Sequence, residues 1–371
     1  MRTMRAAVME GAGRVAVSDV EIDDPRAGEV RVRVTHCGVC HSDLSVVDAE
    51  HPGALPAVLG HEAAGIVDAV GPGVTALAPG DKAVLTPLPS CGQCYYCVRG
   101  QPTLCSVLGT ALFTATRPDG SSPLARDGAV VYRGLGVGGW AEYVVLPWEG
   151  VVKVDDDVDL SEACVIGCAV QTGVGAVLNT ARVEAGATVL VLGAGGIGIA
   201  VTQGARLAGA ALIVVADPVA GRRQAALSFG ATHAVDPGTT DVAAHCRELT
   251  GGIGMDYCFE AAGHAALIEQ GLAASRSGGT TVCVGAPPLD QGIAIPGVVG
   301  FMASEKRLMG SLLGSVNARR DIPRLLALAR VGRLDLGGMI TDRYPLDDIE
   351  AAVDNLRQRR GLRTAITIAA A

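Results

Sequence analysis

The rhythm of apolar and polar positions changes near residue 170 of this chain. Before that point apolar residues alternate with polar ones. From Glu29 to Val34, EVRVRV places valine at every second position, the period of a half-buried strand. HEAAGIVDAV, from His61, continues in that style and runs into the turn Gly71-Pro72-Gly73. A polar stretch with Gly and Pro over 109–139 predicts an inserted loop. Beyond 170, ATVLVLGAGGIGIAVTQGARLAGAALIVVADP reads as strand, glycine turn, helix, strand. Apolar strands follow at 255–259 (MDYCF) and 280–285 (TTVCVG), with helical patterns between. Such alternation predicts βαβ units and a parallel sheet. Past Gly310, DIPRLLALARVGRL predicts a helix and RTAITI a last strand.

At 371 residues, two domains are the expectation. With 49% apolar and 18% charged residues the chain fills large cores, which excludes disorder. The 50 glycines follow no fixed period, so a collagen-like reading fails. A net charge of −8 argues against nucleic acid or an anionic membrane as partner. Gly, Asp, Arg and Pro interrupt the apolar stretches, so no membrane span is expected. The N-terminal MRTMRAAVMEGAGRVAV lacks the continuous apolar core of a signal peptide. The expected location is cytoplasmic, where the 11 cysteines stay reduced.

Two stretches carry the clearest chemistry. VLVLGAGGIG sets Gly193, Gly195 and Gly198 directly after an apolar strand, with Gly196 and Ile197 opening a helix. The first glycine permits a tight turn, the second lets backbone approach a pyrophosphate, and the third lets helix pack on strand. The helix start then offers N–H groups and a positive dipole end to phosphates. The next strand ends in Asp217, 19 residues after Gly198, where an acid accepts from a ribose 2′-hydroxyl and repels a 2′-phosphate. NAD(H) is the expected cofactor. Arg222 and Arg223 follow, with two readings open: a solvated helix face, or contact with the adenosine ribose edge.

CGQCYYCVRGQPTLC crowds Cys91, Cys94, Cys97 and Cys105 into fifteen positions. Four thiolates this close enclose a tetrahedral Zn²⁺ with no open position, which staples a loop lacking a core of its own. An iron–sulfur cluster is the rival. Its C-x2-C-x2-C run continues with a fourth cysteine after three residues and then Pro, whereas here the gap is seven and Ser106 follows. Zinc is therefore expected. A nucleic-acid zinc ribbon is disfavoured because Arg99 is the lobe's only basic residue.

A second, open metal site would draw on scattered residues: Cys40, His41, Ser42 and Asp43 in CGVCHSD, His61 and Glu62 in LGHEAAG, and Cys168 in VIGCAVQTGVG. Two thiolates and an imidazole make the Cys₂His set that leaves zinc's fourth position free. Cys37, Cys164, Cys246, Cys258 and Cys283 read as buried packing. GVCHSD, GHEAAGIV, CGQCYYC, GCAVQTGVG and GAGGIG occur in order, and with them the chain closely resembles the zinc-dependent medium-chain alcohol dehydrogenases over essentially its whole length.

The resemblance implies a mostly-β GroES-like catalytic domain in two segments, 1–169 and 313–371, interrupted by a Rossmann coenzyme domain over 170–312. It implies that Cys40, His61 and Cys168 bind catalytic zinc, with Asp43 orienting His61 and Glu62 close behind as a transient ligand. By the same resemblance Ser42 accepts the substrate's hydroxyl proton, His41 and Arg363 face the pyrophosphate, and Thr172 faces the nicotinamide. Three positions depart from relatives. Ser45 replaces a histidine that ends the proton relay, leaving water, His41 or His51 to complete it. Pro87 replaces a pocket aromatic, suggesting room for a bulky substrate. Gly109 stands where glutathione-dependent formaldehyde dehydrogenases carry arginine, which counts against a glutathione adduct. CAVQTG and VGAPP shade toward aryl-alcohol dehydrogenases.

The expectation is a homodimer holding two zinc ions per chain, which oxidises a primary, bulky aromatic or allylic alcohol to its aldehyde with NAD⁺. Alternatives are retained NAD with an external acceptor, a thiol-adduct formaldehyde dehydrogenase, or a non-enzymatic zinc protein.

Overall fold

In the computed structural model, which describes residues 1–50, 53–295 and 297–369, the alternating N-terminal segments become short strands. In chain order these are β1 (Arg2–Gly11), β2 (Arg14–Ile22), β3 (Glu29–Val39), β4 (Ala57–Val58), β5 (Glu62–Val70), β6 (Lys82–Leu85), β7 (Leu124–Arg126), β8 (Ala129–Arg133), β9 (Tyr143–Pro147) and β10 (Val151–Lys153). β1, β2, β7, β8 and β4 close into a barrel. β10, β6, β5 and β3 run side by side in a second sheet, where β9 also pairs with β3. The alternation in β3 has its cause here: Val30, Val32 and Val34 are fully buried, while the arginines between them turn outward.

The segment 109–139 is not the inserted loop that its polarity suggests. It contains the short helix Ala111–Thr114 and the strands β7 and β8, which complete the barrel. Some of its polar residues are internal. Buried Arg117 donates to both oxygens of Glu29 at 2.8 and 3.0 Å and to Asp23 at 2.9 Å. Composition alone reads such a residue as solvated; the paired carboxylates are what allow it inside.

Residues Val170–Val316 form a second unit, distinct from Met1–Ala169 with Asn317–Ala371. Its strands are β11 (Thr188–Leu192), β12 (Leu212–Ala216), β13 (His233–Val235), β14 (Met255–Glu260), β15 (Ser275–Cys283) and β16 (Arg307–Gly310). They pair in parallel in the order β13-β12-β11-β14-β15-β16. β11 and β12 are near-continuous apolar runs because both faces of such a sheet are covered. The order reverses between β11 and β14, and crevices at such reversals, outside the carboxyl ends of the strands, are where open α/β sheets bind ligands.

The chain then returns to the first unit with β17 (Ile340–Pro345), the helix Ile349–Arg357 and β18 (Arg363–Thr367). β18 pairs antiparallel with β3, Thr364 opposite Val39, which carries Arg363 to the end of β3. Among the described residues no single helix is long and apolar enough to cross a membrane.

Candidate active site

Strand β3 ends at Val39, and the extended backbone of the next residue, Cys40, opens the helix His41–Val47. Asp43, three residues on, reaches back to accept the Cys40 N–H at 3.0 Å, the reciprocal arrangement that starts helices. Its other oxygen accepts from the Gly60 N–H at 2.9 Å and lies 3.1 Å from His61 Nδ1. One fully buried carboxylate thus begins a helix, fixes the turn before β5 and sets the His61 ring. With Nδ1 held by Asp43, Nε2 is the nitrogen left to bind a metal.

Glu62 enters β5 opposite Gly38 of β3. Gly38 leaves the space that Glu62 Oε2 fills, since a Cβ there would collide with that oxygen. Gly167 packs as closely: a Cβ on it would stand 2.6 Å from the Leu85 carbonyl and 3.4 Å from Glu62 Cα. This approach delivers Cys168, and the next residue, Ala169, donates its N–H to Glu62 Oε1 at 3.2 Å. Cys40, His61, Glu62 and Cys168 each present a ligand atom, all within 4.8 Å of one another, and all four are buried. Ser42 Oγ stands 3.9 Å from Cys40 Sγ. His41 is exposed, and buried Ser45 donates to Glu50 at 3.2 Å. His51 lies outside the described residues.

The electrostatics suit a cation. The Cys168 thiol hydrogen-bonds to Cys40 and holds it well below the ordinary thiol range, and that bond with burial pushes Cys168 well above it. Burial opposes charge on His61, but Asp43 and Cys40 carry it well above its usual value. Burial pushes the Glu62 carboxyl up to about 7 against the pull of Arg363. Burial works against the Arg363 charge too, yet Glu62, Cys40 and Cys168 hold it above the ordinary range. Arg363 Nη2 lies 3.4 Å from Glu62 Oε1, and Nη1 donates to the Val39 carbonyl at 3.2 Å. Glu62 Oε2 is buried with no hydrogen-bond partner among the described residues. Anions this crowded, with one oxygen idle, fit a borderline-soft divalent ion, and the donor set matches an open zinc site.

Cys91, Cys94, Cys97 and Cys105 also bring four ligand atoms within 4.8 Å. The helix Tyr95–Val98 between them buries none of its residues. The Cys91 and Leu108 N–H groups point at Cys105 Sγ from 3.4 Å each, and these bonds hold that thiol below its ordinary value against burial. A hydrogen bond from the Cys97 main chain brings Cys94 to about 5. Main-chain N–H groups aimed at sulfur favour thiolates, the form that binds metal. Four sulfurs close the coordination of a tetrahedral ion, so this lobe offers no open position for substrate.

In the second unit the three glycines do different work. Gly193 has φ +97°, and a Cβ there would stand 2.9 Å from Ala262 Cβ. A Cβ on Gly198 would collide with the Gly193 carbonyl. Gly195 is different: only Arg222 Nη1, at 3.9 Å, approaches the position a Cβ would take. Its backbone faces open space, the approach a pyrophosphate requires. Gly196, Ile197 and Gly198 lie in the first turn of the helix Gly196–Ala208, and buried Thr172 lies in the helix Ala169–Gly175.

Asp217 is more occupied than its place in the sequence suggests. It accepts the Ala194 N–H at 2.7 Å and the Val219 N–H at 2.8 Å, so it also fixes the glycine turn. A carboxylate has about four acceptor sites, which leaves room for ribose hydroxyls. Arg223 is committed to the Asp217 and Pro218 carbonyls at 2.7 and 2.9 Å and to Asp236 at 3.0 Å. Sequence reasoning missed these main-chain bonds, and also missed Glu260 at the end of β14. The Cys40-x-x-Asp43 spacing was a usable signal for the helix start; nothing comparable marks Glu260.

Comparison with known proteins adds to this geometry. Residues 26–156 match the family described as alcohol dehydrogenase GroES-like domain, and residues 196–330 match zinc-binding dehydrogenase. The NDMA-dependent alcohol dehydrogenase of Amycolatopsis methanolica is 38% identical over 98% of each chain. The S-(hydroxymethyl)glutathione dehydrogenase of Paracoccus denitrificans is 34% identical over 99% of this chain and 100% of its own. The crystal structure of benzyl alcohol dehydrogenase from Acinetobacter calcoaceticus superposes with a TM-score of 0.94 at 32% identity, covering 100% of both chains.

Proposed function

Because the chain belongs to the zinc-dependent medium-chain alcohol dehydrogenase family, we propose that it interconverts a primary alcohol and its aldehyde by hydride exchange with NAD(H), with aromatic or allylic alcohols as its substrate class. The observation that carries this reading is the buried convergence of Cys40, His61, Glu62 and Cys168 beside a serine hydroxyl. When bound, a zinc ion supplies Lewis acidity toward an alcohol or carbonyl oxygen, and NAD⁺ supplies the hydride acceptor. Cys40, His61 and Cys168 hold the ion, with Glu62 as the fourth donor in reach.

The remaining work belongs to the chain. Ser42 Oγ takes the proton of the substrate hydroxyl and passes its own onward, a role a hydroxyl fills because it donates and accepts at once. Asp43 keeps the His61 ring in one orientation throughout. Arg363, paired with Glu62 and beside the thiolates, offsets part of the negative charge gathered at this centre. Asp217 and the open backbone at Gly195 select and seat NAD(H) rather than NADP(H). The Cys91, Cys94, Cys97 and Cys105 set holds a second, structural zinc.

A glutathione adduct is disfavoured. Gly109 stands where the resemblance puts an arginine in glutathione-dependent relatives, and a Cβ there would stand 2.7 Å from the Cys105 carbonyl, so a side chain requires this turn to shift. One relative's name, NDMA-dependent alcohol dehydrogenase, supports a second reading in which NAD(H) stays bound and an external acceptor reoxidises it. A homodimer is proposed on resemblance alone.

The test is NADH formation at 340 nm against aliphatic, allylic and aromatic primary alcohols, with free NAD⁺ and then with an artificial acceptor. Turnover of benzyl or allyl alcohols above ethanol is the expected result. Turnover only with the acceptor selects the second reading, and none with either defeats both.

A further inference from the structure

Strand β14 ends in a carboxylate that the reaction does not use. Glu260 is fully buried. Its Oε1 gathers three main-chain N–H groups, from Ala262 and Gly263 at 2.7 Å each and from His264 at 3.3 Å. Its main-chain carbonyl accepts from Val284 at 2.9 Å and Gly285 at 3.0 Å, beyond the end of β15. A Cβ on Gly285 would collide with the Gly263 nitrogen and stand 2.7 Å from Glu260 Oε2, so only glycine fits there. The loop shaped in this way puts Ala262 against Gly193, where a Cβ on that glycine would come within 3.2 Å of the Ala262 nitrogen. Through Ala262, then, Glu260 braces the first glycine of the dinucleotide turn across the point where the strand order reverses.

Glu260 Oε2 has no hydrogen-bond partner among the described residues. Burying a carboxylate is costly, and an apolar residue would serve a core at least as well. Its presence here asks for a positional reason. The three N–H groups supply one, because they lead into the helix Ala265–Ala274. Glu260 thus fixes the loop before that helix, while the helix's own first N–H, from Ala265, donates to Gln291 Oε1 at 3.3 Å.

We propose that Glu260 is a positioning residue of the dinucleotide site, holding the loop Ala261–His264 against Gly193 so that the glycine turn keeps its phosphate-binding shape. The proposal rests on the reading that this unit binds NAD(H).

The experiment titrates NADH, by its fluorescence, into the zinc-loaded full-length protein and the variants Glu260→Ala and Glu260→Gln. Losing an anchor of three hydrogen bonds should raise the NADH dissociation constant about tenfold or more in Glu260→Ala. Zinc content, and the KM for alcohol at saturating NAD⁺, should not change. Glu260→Gln keeps a carbonyl oxygen for the three N–H groups and should restore most of the affinity. If the alanine variant does not fold, Glu260→Asp carries the test, since its carboxylate falls one methylene short and must weaken NADH in the same direction. Wild-type affinity in both Glu260→Ala and Glu260→Asp overturns the proposal, as does parallel loss of zinc and NADH in Glu260→Gln. Failure of the wild-type protein to bind NADH defeats the cofactor reading instead.

Discussion

Replacing Asp43 tests the catalytic centre at a residue that touches neither metal nor substrate. Its two oxygens serve three buried donors: the Cys40 N–H, the Gly60 N–H and His61 Nδ1. Asparagine has the same shape but one acceptor oxygen. Turned to keep Gly60 and His61, it sets its NH₂ against the Cys40 N–H and strands one donor. An orphaned buried donor costs about 1–3 kcal/mol, and that is the expected loss of stability in Asp43→Asn. Alanine strands all three donors and should cost several times as much, short of simple addition. Zinc affinity at this centre should fall about 10–100-fold in Asp43→Asn, since the imidazole loses its charged orienting partner. The assay is competition with a chromogenic chelator, monitored beside thermal unfolding. One zinc per chain should be released early and the other, in the Cys91–Cys105 lobe, at the wild-type rate. Wild-type retention of both ions in a folded Asp43→Asn would refute the role assigned to this carboxylate.

Three further outcomes follow from the same geometry. Cys168→Ser should lose alcohol oxidation and keep its melting temperature, whereas Cys97→Ser should chiefly lower the melting temperature; equal melting temperatures contradict the division into open and closed centres. Asp217→Asn should narrow the preference for NAD⁺ over NADP⁺ and raise the KM for NAD⁺, because one of the Ala194 and Val219 N–H groups loses its acceptor; unchanged steady-state constants for both cofactors would remove Asp217 from the site. Arg117→Ala leaves the Glu29 carboxylate half-paired inside the barrel unit and should cost about 3–5 kcal/mol in denaturant unfolding, while a loss below about 1 kcal/mol would mean the pair is effectively solvated.

What the sequence made legible was local. The glycine turn, the strand before it and Asp217 lie within one βαβ stretch, and the four cysteines of the lobe within fifteen positions, so spacing alone carries their chemistry. Cys40 and His61 are near neighbours in the chain, but Cys168 joins them only through the β3–β5–β6 pairing and the close packing at Gly167. No spacing rule reaches that far, and the resemblance to a family supplied the link. Segment 109–139 misled because Arg117 reads as a solvated side chain until its buried partner Glu29, 88 residues away, is known. Glu260 and the main-chain bonds of Asp217 were hidden for a related reason. Carboxylates that serve backbone N–H groups leave no pattern of partner side chains.

The central claim is that hydride leaves the carbinol carbon of a primary alcohol for the nicotinamide. The most direct measurement incubates the protein with NAD⁺ and ethanol, allyl alcohol or benzyl alcohol deuterated at that carbon, then denatures it and weighs the cofactor by mass spectrometry. One deuterium per reduced nicotinamide, from at least the allyl or benzyl alcohol and whether the cofactor was free or retained, is the predicted result. Reduced cofactor without deuterium, or no reduced cofactor from any of the three, would contradict the account.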